Sequence, residues 1–203
     1  MIELPWLASV FTGWENAPNA RIYDFPLKPV GIVLGVILIL VHLFALVRSE
    51  QTKRALLAFP RSDKAGVILL LLSGLWFFIL VTRIDLGEFH PHRRVFLTAI
   101  PLLCAGSLIF LRDLLAPRAL SMFLLLAAEI LLDAAFLREP VTRLLLPTLA
   151  YAWILLSLVW VCVPYVLRDQ ITWVVQSPIR YQTAVGAGLV YGLAVLLCAI
   201  IFY

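Results

Sequence analysis

Two carboxylates stand inside a hydrocarbon-like stretch of this sequence. Glu129 lies ten residues into the nineteen-residue apolar run Ala119–Leu137, and Asp133 follows one helical turn later. On a helix, residues four apart share a face, so the two project together, about 40° apart in azimuth and ~6 Å apart in height. An ionisable group near a bilayer centre costs roughly 2.5–3.5 kcal/mol on insertion scales and is normally turned toward a partner or a wet cavity. Two adjacent carboxylates in a low dielectric do not both ionise readily, which is the requirement of a proton relay or a cation site. The structural alternative is that Glu129 hydrogen-bonds a neighbouring helix while Asp133 pairs with Arg83, Arg138 or Arg143.

His42 is the one histidine inside an apolar run. Counted from Val47 at 1.5 Å per residue it lies about 8 Å deep; on the same scale Glu129 lies at about 15 Å and Asp133 at about 21 Å. Staggered in depth, these three side chains are the parts of a proton path, because imidazole titrates near neutrality. A single histidine on an apolar helix serves equally as a hydrogen-bonded packing residue. A weaker constellation is Glu88, His90 and His92. Held extended around Pro91, the two imidazoles could pinch a divalent metal, with Glu88 or Asp85 as oxygen ligand. Arg93 and Arg94 would repel that cation, so the expectation is a solvated loop with headgroup-binding arginines, no metal and no cofactor. A haem held by two intramembrane histidines is unsupported, since only His42 qualifies.

The elements that carry these residues follow from composition. Of 203 residues, 63% are hydrophobic and 14% charged, against roughly 45–50% and 25% in soluble domains. A transmembrane helix needs about 20 mostly apolar residues, and six stretches qualify: Pro29–Val47, Ala65–Thr82, Val95–Leu111, Ala119–Leu137, Leu144–Leu167 and Ala184–Tyr203. Continuous apolar runs lack the alternation of barrel strands, and in lipid only helices or closed barrels satisfy the backbone. The fold class is therefore all-α: a polytopic transmembrane helical bundle of six spans over residues 29–203, preceded by an interfacial segment over residues 1–28. That segment mixes Trp6, Phe11, Trp14, Tyr23 and Phe25 with polar residues, as suits a membrane–water boundary. Glu3 in place of a basic n-region and the short apolar piece Pro5–Phe11 do not fit a secretory signal. Residues Gln170–Gln182, with Ile171, Trp173, Val174, Val175 and Tyr181, read as a second interfacial piece that Pro178 should end. Pro101 and Pro147 should kink their spans or free a carbonyl.

In the sixth span Ala184, Gly188 and Gly192 recur every four residues, a small-residue face on which another helix of the chain or another subunit can pack. Cys104, Cys162 and Cys198 all fall inside apolar spans, without CxxC spacing, and read as small core residues. The net charge of +4 is spread over span ends, where it meets lipid headgroups, and lacks the clustering of a nucleic-acid footprint. The first connection carries Arg48, Lys53, Arg54, Arg61 and Lys64, which places it in the cytoplasm; over all segments the count is nine basic residues on that side against seven on the other. Both termini then lie outside the cytoplasm, and the membrane expected is a bacterial inner membrane.

No P-loop, GxSxG elbow, HExxH or EF-hand pattern is present. Three functional classes remain. The first is a non-catalytic subunit or assembly partner in a larger membrane complex, with other membrane subunits or a second copy of the chain as partners besides the lipid bilayer. The second is a small proton- or cation-coupled carrier or channel using the intramembrane carboxylates. The third is a membrane-embedded enzyme acting on lipid-linked substrates, for which the sequence places no nucleophile and base together.

Overall fold

The computed structural model describes Tyr23, residues 25–84 and residues 86–203. The aromatic lead-in residues Trp6, Phe11 and Trp14 lie outside the described residues. Six helices are long and apolar enough to cross a membrane: α1 (Leu27–Val47), α3 (Asp63–Arg83), α4 (Arg93–Phe110), α5 (Leu115–Ala135), α6 (Leu145–Cys162) and α8 (Pro178–Ile201). Two shorter helices, α2 (Ser49–Ala58) and α7 (Tyr165–Val175), lie beside each other where the first and fifth connections meet. The chain is a multi-pass helical membrane protein.

Prolines set several of these boundaries differently from the hydropathy reading. The fifth apolar run is two helices: Pro164 forces Val163 out of the helical region (φ −132°, ψ 73°) and α6 stops at Cys162. In place of the piece expected over Gln170–Gln182 there is a separate short helix from Tyr165 to Val175. Pro178 opens α8 at its first position, where its missing N–H costs nothing. Pro147 falls in the first turn of α6 for the same reason, so it neither kinks the helix nor frees an interior carbonyl. Pro101 alone of these is interior, in α4. The polar first connection is itself largely helical, with a Glu50–Lys53 ion pair of 3.0 Å, Lys53 Nζ 5.1 Å from the Tyr181 ring centroid, and Leu56 packed with Val174 and Val175 of α7 against Ala45, Tyr181 and Val185.

Helices α1 and α8 form the most extensive contact in the molecule. They run antiparallel: a Cβ placed on Gly31 would stand 2.9 Å from Ala199 Cβ, one on Gly35 would stand 2.8 Å from Leu196 Cβ, and one on Gly192 would stand 2.9 Å from Leu38 Cβ. At Gly188 an added Cβ would run into the ring of His42. In lipid no hydrophobic drive brings helices together, so contact of this closeness supplies much of the association. The seam is fastened at its first-connection end by Tyr181, whose hydroxyl donates to the Ala45 carbonyl at 2.9 Å, one of the last carbonyls of α1. Tyr191 and Tyr203 donate to the carbonyls of Leu145 and Thr142, tying α8 to α6 and to the turn before it.

A core of Leu27, Leu34, Ala128, Leu131, Ala135, Leu146, Ala150 and Val195 joins α1 and α8 to α5 and α6. On the other flank α3 and α5 run parallel, with Gly66 against Ala116 and Trp76 edge-on to Phe123 at 5.6 Å. Helix α4 is the least buried of the six and is held chiefly by α3, where Gly74 approaches the Cys104 sulfur.

Because Leu196 faces Gly35, it belongs to the seam and not to the far side of α8, whereas a side chain added at Gly186 meets nothing within 4 Å. Gly188→Leu should therefore lose about 1–3 kcal/mol or more through overpacking, while Gly186→Leu should hold or gain stability through helix propensity. Thermal unfolding in a mild detergent separates the two; equal behaviour would contradict the assignment of the seam.

Candidate functional site

Helix α5 begins at Leu115, four residues before the apolar run, because its first turn is built from residues that pack on α3. This shift moves the carboxylates. Glu129 stands about 21 Å from the Leu115 end and about 9 Å from Ala135, and Asp133 is in the last turn. Both lie in the second half of the helix, toward the end opposite the first connection.

That face gathers an acidic and aromatic cluster. Trp76 of α3 donates its indole N–H to the Tyr23 hydroxyl at 2.6 Å. Tyr23 stacks on Phe25 with ring centroids 5.6 Å apart, and Trp76 is braced by Phe123 of α5. Burial pushes the Tyr23 phenol above its ordinary value of 10.0; the Trp76 hydrogen bond and the Arg83 charge oppose the shift, while Glu129 and Asp133 add to it. The hydroxyl thus lies within the electrostatic reach of both carboxylates and of Arg83. Asp133 Oδ2 is buried and has no hydrogen-bond partner among the described residues. Nearby on the same face Arg93 reaches back across the second connection, donating to the carbonyls of Thr82 at 3.3 Å and Ile84 at 2.7 Å, and so satisfies the C-terminal end of α3.

Toward the bilayer interior the stripe of α5 that carries Glu129 continues as Leu126, Leu125 and Met122. With Ser73 and Phe77 of α3 and Ile100 and Cys104 of α4 these line a crevice of about 350 Å³. Its polar character is slight: Ser73 donates to Leu69 of its own helix at 2.7 Å, so the hydroxyl is spent locally.

His42 lies elsewhere. Its Nδ1 meets the Leu38 carbonyl at 2.7 Å, which for a neutral ring places the proton on Nδ1, and the rest of the ring fills the notch left by Gly188. It belongs to the α1–α8 seam, whereas Glu129 and Asp133 lie within electrostatic reach of Tyr23. Of the small-residue face, Gly188 and Gly192 are consumed inside the chain by α1, and Ala184 is exposed. Glu88, His90 and His92 form a 3-10 turn, Gly87–His92, instead of an extended stretch, and all three are exposed. Among the described residues no three His, Cys, Asp or Glu side chains are gathered as metal ligands.

Two features of the architecture were not read from sequence. Gly31 and Gly35 form a visible four-residue step on α1 that receives Ala199 and Leu196 of α8. The Tyr23–Trp76 bond joins residues 53 apart and leaves no local signal. Compared with protein-family models, curated proteins and solved structures, the chain matches none.

If Tyr23, Glu129 and Trp76 share one site, the phenol reports it. Glu129→Gln should lower the Tyr23 ionisation midpoint by removing a negative charge, and Trp76→Phe should raise it by removing a donor to the phenolate. Because the folded midpoint exceeds the unfolded one, the stability held by the neutral phenol is complete below about pH 10 and is lost as pH rises through the folded value. NMR of ring-labelled tyrosine, assigned with Tyr23→Phe, measures both shifts; no response to Glu129→Gln would separate the carboxylate from the cluster.

Proposed function

We propose that this protein is a non-catalytic subunit or assembly partner of a larger membrane complex, and that the partner packs on the outer face of α4. The observation that carries the reading is the character of that face. Thr98, Pro101 and Ala105 are exposed there beside Leu102 (71%) and Ile109 (68%), and a side chain added at Gly106 meets nothing within 4 Å. Small residues turned outward allow a second helix to approach closely, and in lipid that approach is a main source of association. Pro101 also withdraws the backbone donor that the Leu97 carbonyl would take, leaving an acceptor that hydrocarbon does not satisfy. The glycines of α8, the other candidate for an external contact, are already occupied by α1. We place the protein in a bacterial inner membrane with Arg48–Lys64 on the cytoplasmic side and both termini on the opposite face, on the strength of the basic-residue bias.

A second reading, a proton- or cation-coupled carrier or channel, draws on the buried, unpartnered Asp133 Oδ2. The apolar crevice beneath Glu129 favours uptake of a proton or cation at one face over its passage to the other.

In a background with the three native cysteines replaced, Ala105→Cys should cross-link in membranes to a partner helix, whereas Leu43→Cys on the exposed side of α1 should not. Ala105→Trp should convert a larger particle to the single chain in mild-detergent size exclusion. A wild-type protein that is a lone chain in both detergent and nanodiscs, with no adduct at residue 105, would overturn the reading.

A further inference from the structure

On the face that carries the first connection, three separate segments enclose a cavity of about 340 Å³. The turn after α2 contributes Arg61, the α4–α5 connection contributes Arg112 and Asp113, and α7 contributes Arg168; Ser62 and Asp63 complete the polar wall. Two helices begin at this cavity. Ser62 caps α3 by accepting from Ala65 N–H at 3.3 Å, but α5 starts without any side-chain cap. Its preceding residue, Leu114, is held in the left-handed region at φ 56° and ψ 39°, a conformation that a residue with a side chain adopts at a cost. Arg112 donates through Nε to the Leu108 carbonyl at 3.2 Å, and Arg168 is ion-paired with Asp169 through both Nε and Nη2 at 2.9 Å.

We infer that this cavity is a binding site for the phosphodiester of a phospholipid headgroup. The Arg61 and Arg112 guanidinium groups provide forked donors that match phosphate oxygens. Helix N-termini add backbone N–H groups and a favourable dipole. Asp63 and Asp113 offset two of the three lining arginines and Asp169 pairs with the third, so the wall supplies donors suited to a singly charged diester without the excess positive charge that a free phosphate carrying roughly −1.5 to −2 would call for. The location agrees: the cavity lies where transmembrane helices end and the short helices α2 and α7 begin, the level at which basic pockets meet headgroups.

The test uses the full chain in a neutral detergent, with thermal unfolding measured after adding dihexanoyl phosphatidylglycerol, dihexanoylglycerol or inorganic phosphate. The phosphodiester lipid should raise the unfolding temperature, and the other two should not. Arg61→Gln combined with Arg112→Gln should weaken the lipid response roughly 10-fold in concentration, whereas Arg54→Gln, which removes a basic residue on α2 outside the cavity, should leave it unchanged. Native mass spectrometry of the wild type should retain phospholipid adducts that the double variant loses. Equal stabilisation by dihexanoylglycerol, full stabilisation by inorganic phosphate alone, or a response abolished by Arg54→Gln and retained in the double variant would each overturn the inference.

Discussion

The close approach of α1 and α8 is the constraint on which the rest of this bundle depends. The two helices come from opposite ends of the described chain, and their antiparallel seam closes the bundle by holding Leu27, Leu34 and Val195 against α5 and α6. Where water is absent, apolar side chains gain nothing by turning from lipid toward each other. Geometry must supply the difference, and glycines on both helices remove the bulk that would hold the backbones apart. His42 shows how a polar side chain is accommodated in such a seam. One ring nitrogen is satisfied by its own helix, and the ring then serves as the filler of a glycine notch.

With the seam and the α5–α6 pair forming a packed half, α3 and α4 form a looser one, and most of the unassigned chemistry lies on that side. The crevice between α3, α4 and α5 separates two polar regions at opposite faces. One is the Tyr23–Trp76 cluster with Glu129 and Asp133; the other is the arginine-walled cavity between the α2 turn, the α4–α5 connection and α7. Charged groups are concentrated near the ends of the helices, where they reach water or headgroups at modest cost. Asp133 lies in the last turn of α5 and Glu129 one turn before it.

The spans were legible because twenty apolar residues bounded by Lys or Arg leave little alternative. Their ends were less so, since hydropathy does not register helix-breaking geometry: Pro164 splits a run that is apolar throughout, and Leu115 starts a helix across Arg118. The short helix α2 escaped notice because a polar stretch between spans reads as a loop, although Glu50 and Lys53 at helical spacing and the inward Leu56 were signals of it. The glycine face of α8 was visible; its matching step on α1 was visible too and was not connected, because which helices meet is a property of tertiary packing. The cluster around Tyr23 is of the same kind, built by residues from three separate regions of the chain.

The most direct measurement of the central contact is a double-mutant cycle between Gly188 and His42. Gly188→Ala improves intrinsic helix propensity, so any loss of stability it causes comes from the contact. In the presence of His42 it should lower stability by about 1–3 kcal/mol, and in a His42→Ala background the penalty should vanish, giving a coupling energy on the order of 1 kcal/mol or more. Additive effects of the two substitutions would contradict a seam in which the His42 ring occupies the Gly188 notch.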